Sequence, residues 1–162
     1  MGDLERFTKK FSKEDFQCLC AVIDNNTTEV DIKHEVIEGK SKITKDKVTG
    51  MIEDQRTYTN LLLINSKFEI PDLIDASKQI VNENLKKGVG RVAVLLKSRG
   101  KNTKYIVILR SILTKDFTKA EVTPISRKDL EKIAEKLLDE ESSIGEVYYD
   151  ITPKPPATIE YE

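Results

Sequence analysis

Arg91-Val92-Ala93-Val94-Leu95-Leu96-Lys97 and Lys104-Tyr105-Ile106-Val107-Ile108-Leu109-Arg110-Ser111 decide how this chain folds. Each is an apolar run of strand length bounded by basic residues. Between them stands Ser98-Arg99-Gly100-Lys101-Asn102-Thr103, with the Gly and Asn of a chain reversal. A strand with one wet face alternates apolar and polar residues, whereas a strand without alternation is covered on both faces. The two runs therefore predict central strands, paired with each other as an antiparallel hairpin.

If Lys97 pairs with Lys104, that register sets Ala93 opposite Ile108 and Arg91 opposite Arg110. Like charges opposed across a ladder repel. The hairpin then carries a cationic pair at each end of an apolar centre, with Arg99 and Lys101 at its tip. A bound anion such as phosphate relieves that repulsion, and Arg offers bidentate geometry for it. Arg91, Lys97, Arg99, Lys101, Lys104 and Arg110 are accordingly the candidate anion- or nucleic-acid-binding residues. The preferred competing reading lets them splay into water or pair with Glu131, Glu135, Asp139, Glu140 and Glu141 of the same chain. Tyr105 is the only nearby aromatic for base stacking.

Charge is polarised around this centre. Nine basic residues and no acids lie between Asn84 and Lys115, and ten acids against three lysines follow from Asp129, so a net charge of −1 hides two poles. Opposite poles favour complementary contacts between chains.

Outward from the two runs, Ser12-Lys13-Glu14-Asp15 followed by Phe16, Leu19, Cys20 and Ile23 predicts a first helix over 12–24. Thr28 to Val36 alternates and predicts a strand with His34 facing inward. Ser41 to Thr44 reads as a weak strand, 45–56 as a mobile loop, and Thr57 to Ile64 as a strand. Pro71 suits the first turn of a second helix that runs through Leu73, Ala76, Ile80 and Leu85 to a stop at Gly88. Phe117 to Thr123 predicts a further strand. Ser126 caps a third helix with Asp129 at N3, and Glu146 to Ile151 is a last strand. Strands followed by a helix occur twice, in 28–87 and 91–140, with poor residue identity between the halves.

The motifs that suggest chemistry fail on context. Gly39-Lys40-Ser41 lacks the P-loop glycine five positions earlier, where His34 stands. Gly88-Val89-Gly90-Arg91-Val92-Ala93 has the letters of a dinucleotide fingerprint, but a helix precedes it and a strand follows, the reverse of what pyrophosphate binding needs. Asp24, Asn26, Thr28 and Glu35 take calcium-loop positions, yet Glu29 replaces the required glycine. Val30-Asp31-Ile32-Lys33 has the form of a metal-dependent nuclease strand without a carboxylate strand before it. His34 reads as a packed core histidine rather than a catalyst. Cys18 and Cys20, two apart on the expected helix, point to different sides and imply a reducing compartment.

The chain is thus expected to be an α+β protein with a mixed or mostly antiparallel sheet of five to seven strands and three helices. Residues 1–152 form a single domain, and 153–162, opening with Pro153-Lys154-Pro155-Pro156, a proline-containing tail. No apolar run approaches the roughly 20 residues of a membrane span, and the N-terminus lacks a secretory h-region, so a cytoplasmic address is expected. The expected function is a small non-catalytic binding or assembly protein with a protein partner or a second copy of itself. No cofactor, resident metal or catalytic residue is assigned. The alternatives are nucleic-acid or phosphate-ligand binding through 91–110 and, third, a metal-dependent hydrolase around Asp31.

Overall fold

A computed structural model of the chain describes residues 16–52, 55–100, 103–114 and 120–153. In chain order they form β1 (Phe16–Asp24), β2 (Thr27–Val30), β3 (Ser41–Ile52), β4 (Gln55–Ile64), α1 (Ile70–Asn84) and a 3-10 turn (Leu85–Lys87). There follow β5 (Val89–Ser98), β6 (Tyr105–Thr114), β7 (Ala120–Val122), α2 (Arg127–Glu140) and β8 (Ile144–Asp150). One mixed sheet takes all eight strands in the order β1-β6-β8-β5-β4-β3-β2, with β7 added on β6.

The two ends of that order are neighbours in sequence, and this settles the shape of the sheet. Laid flat, β1 and β2 stand six interstrand spacings apart, roughly 29 Å at about 4.8 Å each. Only Asn25 and Asn26 join them, a link that reaches about 11 Å at most. The sheet therefore curls until its edges meet. Asn25 N–H donates to Lys104 O (2.9 Å) on the β6 side, and Lys45 N–H donates to Asn26 O (2.9 Å) on the β3 side. β1 and β2 act as one bent stave, pairing with β6 along its first part and with β3 beyond the bend.

Curling gives the sheet an inside and an outside. Leu61, Leu63, Ala93, Ile106, Ile108 and Tyr148 form the inner cluster, all nearly inaccessible, with Ala21, Ile23 and Leu95 packed against it. On the outer face α1 and α2 cover a larger core that includes Leu62, Val92, Val94, Leu109, Val147 and Tyr149. The uninterrupted apolar runs of β5 and β6 thus have a physical cause: alternate residues enter the two cores.

Local signals explain the helices. Pro71 sits in the first turn of α1, and Gly88 (φ +85°) ends the helical segment by donating its N–H to Leu85 O (2.9 Å). Ser126 Oγ accepts the Asp129 N–H (3.2 Å) at the start of α2. β4-α1-β5 and β6-α2-β8 are both parallel β-α-β units, and β5 pairs antiparallel with β8 at the centre. The halves read from the sequence, 28–87 and 91–140, divide the chain differently: these units run over 55–98 and 105–150, and β5 closes the first of them.

Several expectations about the fold are corrected. The described residues contain eight strands and two α-helices, not five to seven strands and three helices. Residues 16–24 of the expected first helix are β1, while 12–15 lie outside the described residues, as does the tail beyond Pro153. That first stretch is apolar on nearly every position, so helical spacing is satisfied trivially, and its Phe, Val and Ile favour a strand. Cys18 and Cys20 consequently share a face. The expected loop over 45–56 is largely strand: β3 and β4 pair as a hairpin from Lys47↔Asn60 to Ile52↔Gln55, past a register shift after Ile43. β2 in turn ends at Val30, so His34 belongs to a loop.

The central hairpin is also corrected. β5 and β6 do not pair, because β8 lies between them, antiparallel to β5 and parallel to β6. Both neighbours are apolar runs buried on two faces, and sequence proximity alone does not say which strand separates them.

Candidate functional site

Inside the curl, charge gathers at two places. At one end Arg91 and Arg110 flank Asp150 across β5, β8 and β6. Arg91 Nη1 donates to Asp150 Oδ2 at 3.0 Å, and Arg110 Nη1 lies 3.0 Å from Oδ1. All three side chains are fully buried. The register makes this arrangement inevitable: Asp150 stands opposite Ala93, and the pairing of Leu109 with Tyr149 carries Arg110 to its other side. Asp150 Oδ1 also accepts the Thr152 N–H (2.9 Å), which anchors the chain as it leaves β8. Arg110 fits less well. Its approach to Oδ1 is a charge contact off the hydrogen-bond line, and its Nε and Nη2 have no hydrogen-bond partner.

The other place is the end where β1 passes into β2. Lys42 Nζ reaches Glu146 Oε1 and Oε2 at 3.2 and 3.3 Å, joining β3 to β8 over two intervening strands. A flat sheet holds such strands about 14 Å apart, so the contact crosses the mouth of the curl. Burial, then the charge of nearby Glu146, pushes the Tyr148 pKa far above the ordinary phenol range. A cavity of about 590 Å³ opens here, lined by Asn25, Asn26, Lys42, Ser98, Thr103 and Glu146. A second cavity of about 540 Å³ lies outside the curl, between Pro71, Ile74 and Lys78 of α1 and Leu113, Pro124 and Pro153.

The six basic residues singled out by the sequence separate. Arg91 and Arg110 are buried against Asp150, so the anion that relieves their repulsion is this chain's own. Arg99 is spent on the C-terminus of α2: its guanidinium donates to Glu141 O (3.0 Å), Ile144 O (3.0 Å) and Leu138 O. It meets helix carbonyls, favourably placed for a cation, and not the helix carboxylates. Lys97 and Lys104 are exposed, Lys104 with its ammonium 5.1 Å from the Tyr105 ring centre. Lys101 lies outside the described residues.

The other candidates also fall apart. His34 Nδ1 accepts the Val36 N–H (3.2 Å) and Nε2 faces Gln79 Oε1 at 3.5 Å, and the residue lines a pocket with Glu35, Asp72 and Asp75. Asp31 is exposed in the loop after β2, and among the described residues no group of three His, Cys, Asp or Glu is placed to hold a metal ion. Sequence reasoning missed Asp150, Lys42 and Glu146. The signal for Asp150 was present: two arginines inside doubly buried runs require an acid, and Asp150 closes the apolar run Val147-Tyr148-Tyr149.

Residues 87–161 match the GMP synthase C terminal domain. The match takes in β5 to β8, hence the central strand pair, α2 and the Arg91–Asp150–Arg110 cluster. The chain is also similar to one of the subunits of the glutamine-hydrolyzing GMP synthase of Saccharolobus islandicus (strain M.14.25). The two are 38% identical over 118 residues, 73% of this chain and 30% of that protein. The corresponding GMP synthase subunit of Sulfurisphaera tokodaii is 36% identical over 121 residues, 75% of this chain and 31% of its own length. The glutamine-hydrolyzing GMP synthase of Bordetella avium is 40% identical over 63 residues, 39% of this chain and 12% of that protein. The chain thus spans under a third of the curated relatives it matches. These likenesses overturn the expectation of a non-catalytic binding or assembly protein and its nucleic-acid-binding alternative, since the similar proteins are enzymes of GMP synthesis. No helix among the described residues is long and apolar enough to cross a membrane.

Proposed function

We propose that this chain works in glutamine-dependent GMP synthesis, contributing the part that corresponds to the C-terminal domain of a GMP synthase. The observation that carries the reading is the 38% identity over 118 residues with a subunit of that enzyme, together with the match over 87–161. The reaction class follows from the product and the co-substrate. Guanine carries an exocyclic amino group, and hydrolysis of glutamine frees ammonia to supply it, so the enzyme aminates a purine nucleotide. The chain joins in that reaction with protein that it does not itself span, whether another subunit, a longer polypeptide or a second copy. Such a role is consistent with a cytoplasmic address, with residues 1–152 working as one unit and the segment from 153 contributing to the matched region.

A chimera tests this reading. The aligned region of the Saccharolobus islandicus protein is replaced by this chain, and GMP formation is followed chromatographically in the otherwise complete enzyme. Turnover within about tenfold of the parent is expected, a barrier change of roughly 1.4 kcal/mol. A chimera that folds and assembles yet forms GMP only at background contradicts the proposal.

A further inference from the structure

We infer that the mouth of the curled sheet is a binding site for a zwitterionic α-amino acid. The cavity there is about 590 Å³, a volume in the range of small-molecule sites, which occur preferentially in the mouths of β-barrels. Its walls carry opposite charges side by side. Lys42 Nζ is 3.2 Å from Glu146 Oε1, with the Lys42 side chain 40% exposed and that of Glu146 13% exposed. An ion pair at that exposure contributes little by itself, about 1 kcal/mol or less. A dipolar ligand inserted between the two groups exchanges one contact for two: its carboxylate meets the Lys42 ammonium, and its ammonium meets the Glu146 carboxylate. A ligand bearing only one charge must leave one partner without its counter-ion inside the mouth, and that costs affinity.

The remaining lining suits a polar side chain on that amino acid. Ser98 supplies a hydroxyl, and Asn25 and Asn26 supply amides, groups that both donate and accept. The frame is firm as well as polar: Asn25 Nδ2 donates to Thr103 O (3.0 Å), tying the β1–β2 bend to the start of β6.

The site stands on the cavity alone; only the choice of L-glutamine as the probe rests on the reading above. Backbone amide spectra of the full chain are recorded against L-glutamine, N-acetyl-L-glutamine (no ammonium) and L-glutamine α-amide (no α-carboxylate). Saturable shifts at Lys42, Ser98, Thr103 and Glu146 are expected with L-glutamine, and binding roughly tenfold weaker or worse with either derivative. Glu146→Gln and Lys42→Met each remove the effect. The swap Lys42→Glu with Glu146→Lys keeps an ion pair at the mouth and restores it, which separates loss of binding from loss of fold. Shifts that do not saturate, that map elsewhere, or that appear equally with the N-acetyl derivative overturn the inference. The readout involves no GMP formation, so it fails or succeeds independently of the chimera.

Discussion

Asp150→Ala should cost about 3–5 kcal/mol in a urea titration followed by far-UV circular dichroism. The carboxylate stands between two fully buried guanidinium groups, Arg91 at 3.0 Å and Arg110 at 3.0 Å. Removing it leaves two cations in an apolar interior where water does not reach them. The same change frees the Thr152 N–H from its acceptor at the exit of β8. Such a loss is a large share of the roughly 5–15 kcal/mol that holds a domain together, so much of the variant should be unfolded without denaturant at moderate temperature. Replacing all three charges by apolar side chains, Arg91→Met with Asp150→Leu and Arg110→Met, should recover most of the stability, because buried ion clusters are costly to break and not costly to replace. A single Asp150→Ala variant within about 1 kcal/mol of the parent would show that the three groups reach water.

Leu61→Ala should cost about 2–5 kcal/mol in the same titration. Leu61 is fully buried and belongs to the inner cluster of the curled sheet, on the face away from α1 and α2. In a flat sheet with helices on one side only, that face meets solvent, and truncating a leucine there changes stability by about 0.5 kcal/mol. Val22 serves as the control: it is 57% exposed on β1, and Val22→Ala should fall within that small range. Equal effects at the two positions would mean that the inner face is not a core.

Much of the outer core was legible in the sequence. The capping serine at 126, the proline at 71 and the glycine stop at 88 act locally, within a turn of the residues that carry them, so one stretch of chain suffices to read them. The doubly apolar runs of β5 and β6 correctly announced cover on both faces. What the runs could not say is what supplies that cover. One side is helices, and the other is the sheet itself, bent round by the two-residue link at Asn25 and Asn26. Curling is a property of strand order, and strand order arises from contacts between residues far apart in sequence.

The same gap hid the site. Reading β5 and β6 as a hairpin put Arg91 opposite Arg110 and asked for an external anion. Insertion of β8 between them brings in Asp150, 59 residues beyond Arg91 in the chain, and the demand is met internally. Lys42 and Glu146 escaped for a related reason. Each sits near the start of its strand and looks like an ordinary surface charge until the mouth brings them within 3.2 Å. The first stretch of the chain failed differently. Residues 16–24 are apolar at almost every position, and a run without polar punctuation carries no period by which helix and strand can be told apart.

Closure of the sheet through its β1–β2 stave is the claim on which both cores, the buried ion cluster and the mouth cavity depend. Hydrogen-bond scalar couplings in isotopically labelled protein test it directly, because they report which amide is bonded to which carbonyl. The Asn25 amide should couple to the Lys104 carbonyl while the Lys45 amide couples to the Asn26 carbonyl, in one and the same sample. Finding one coupling with the other amide free and exchanging rapidly with solvent would contradict closure, since the bend would then belong to a single edge of an open sheet.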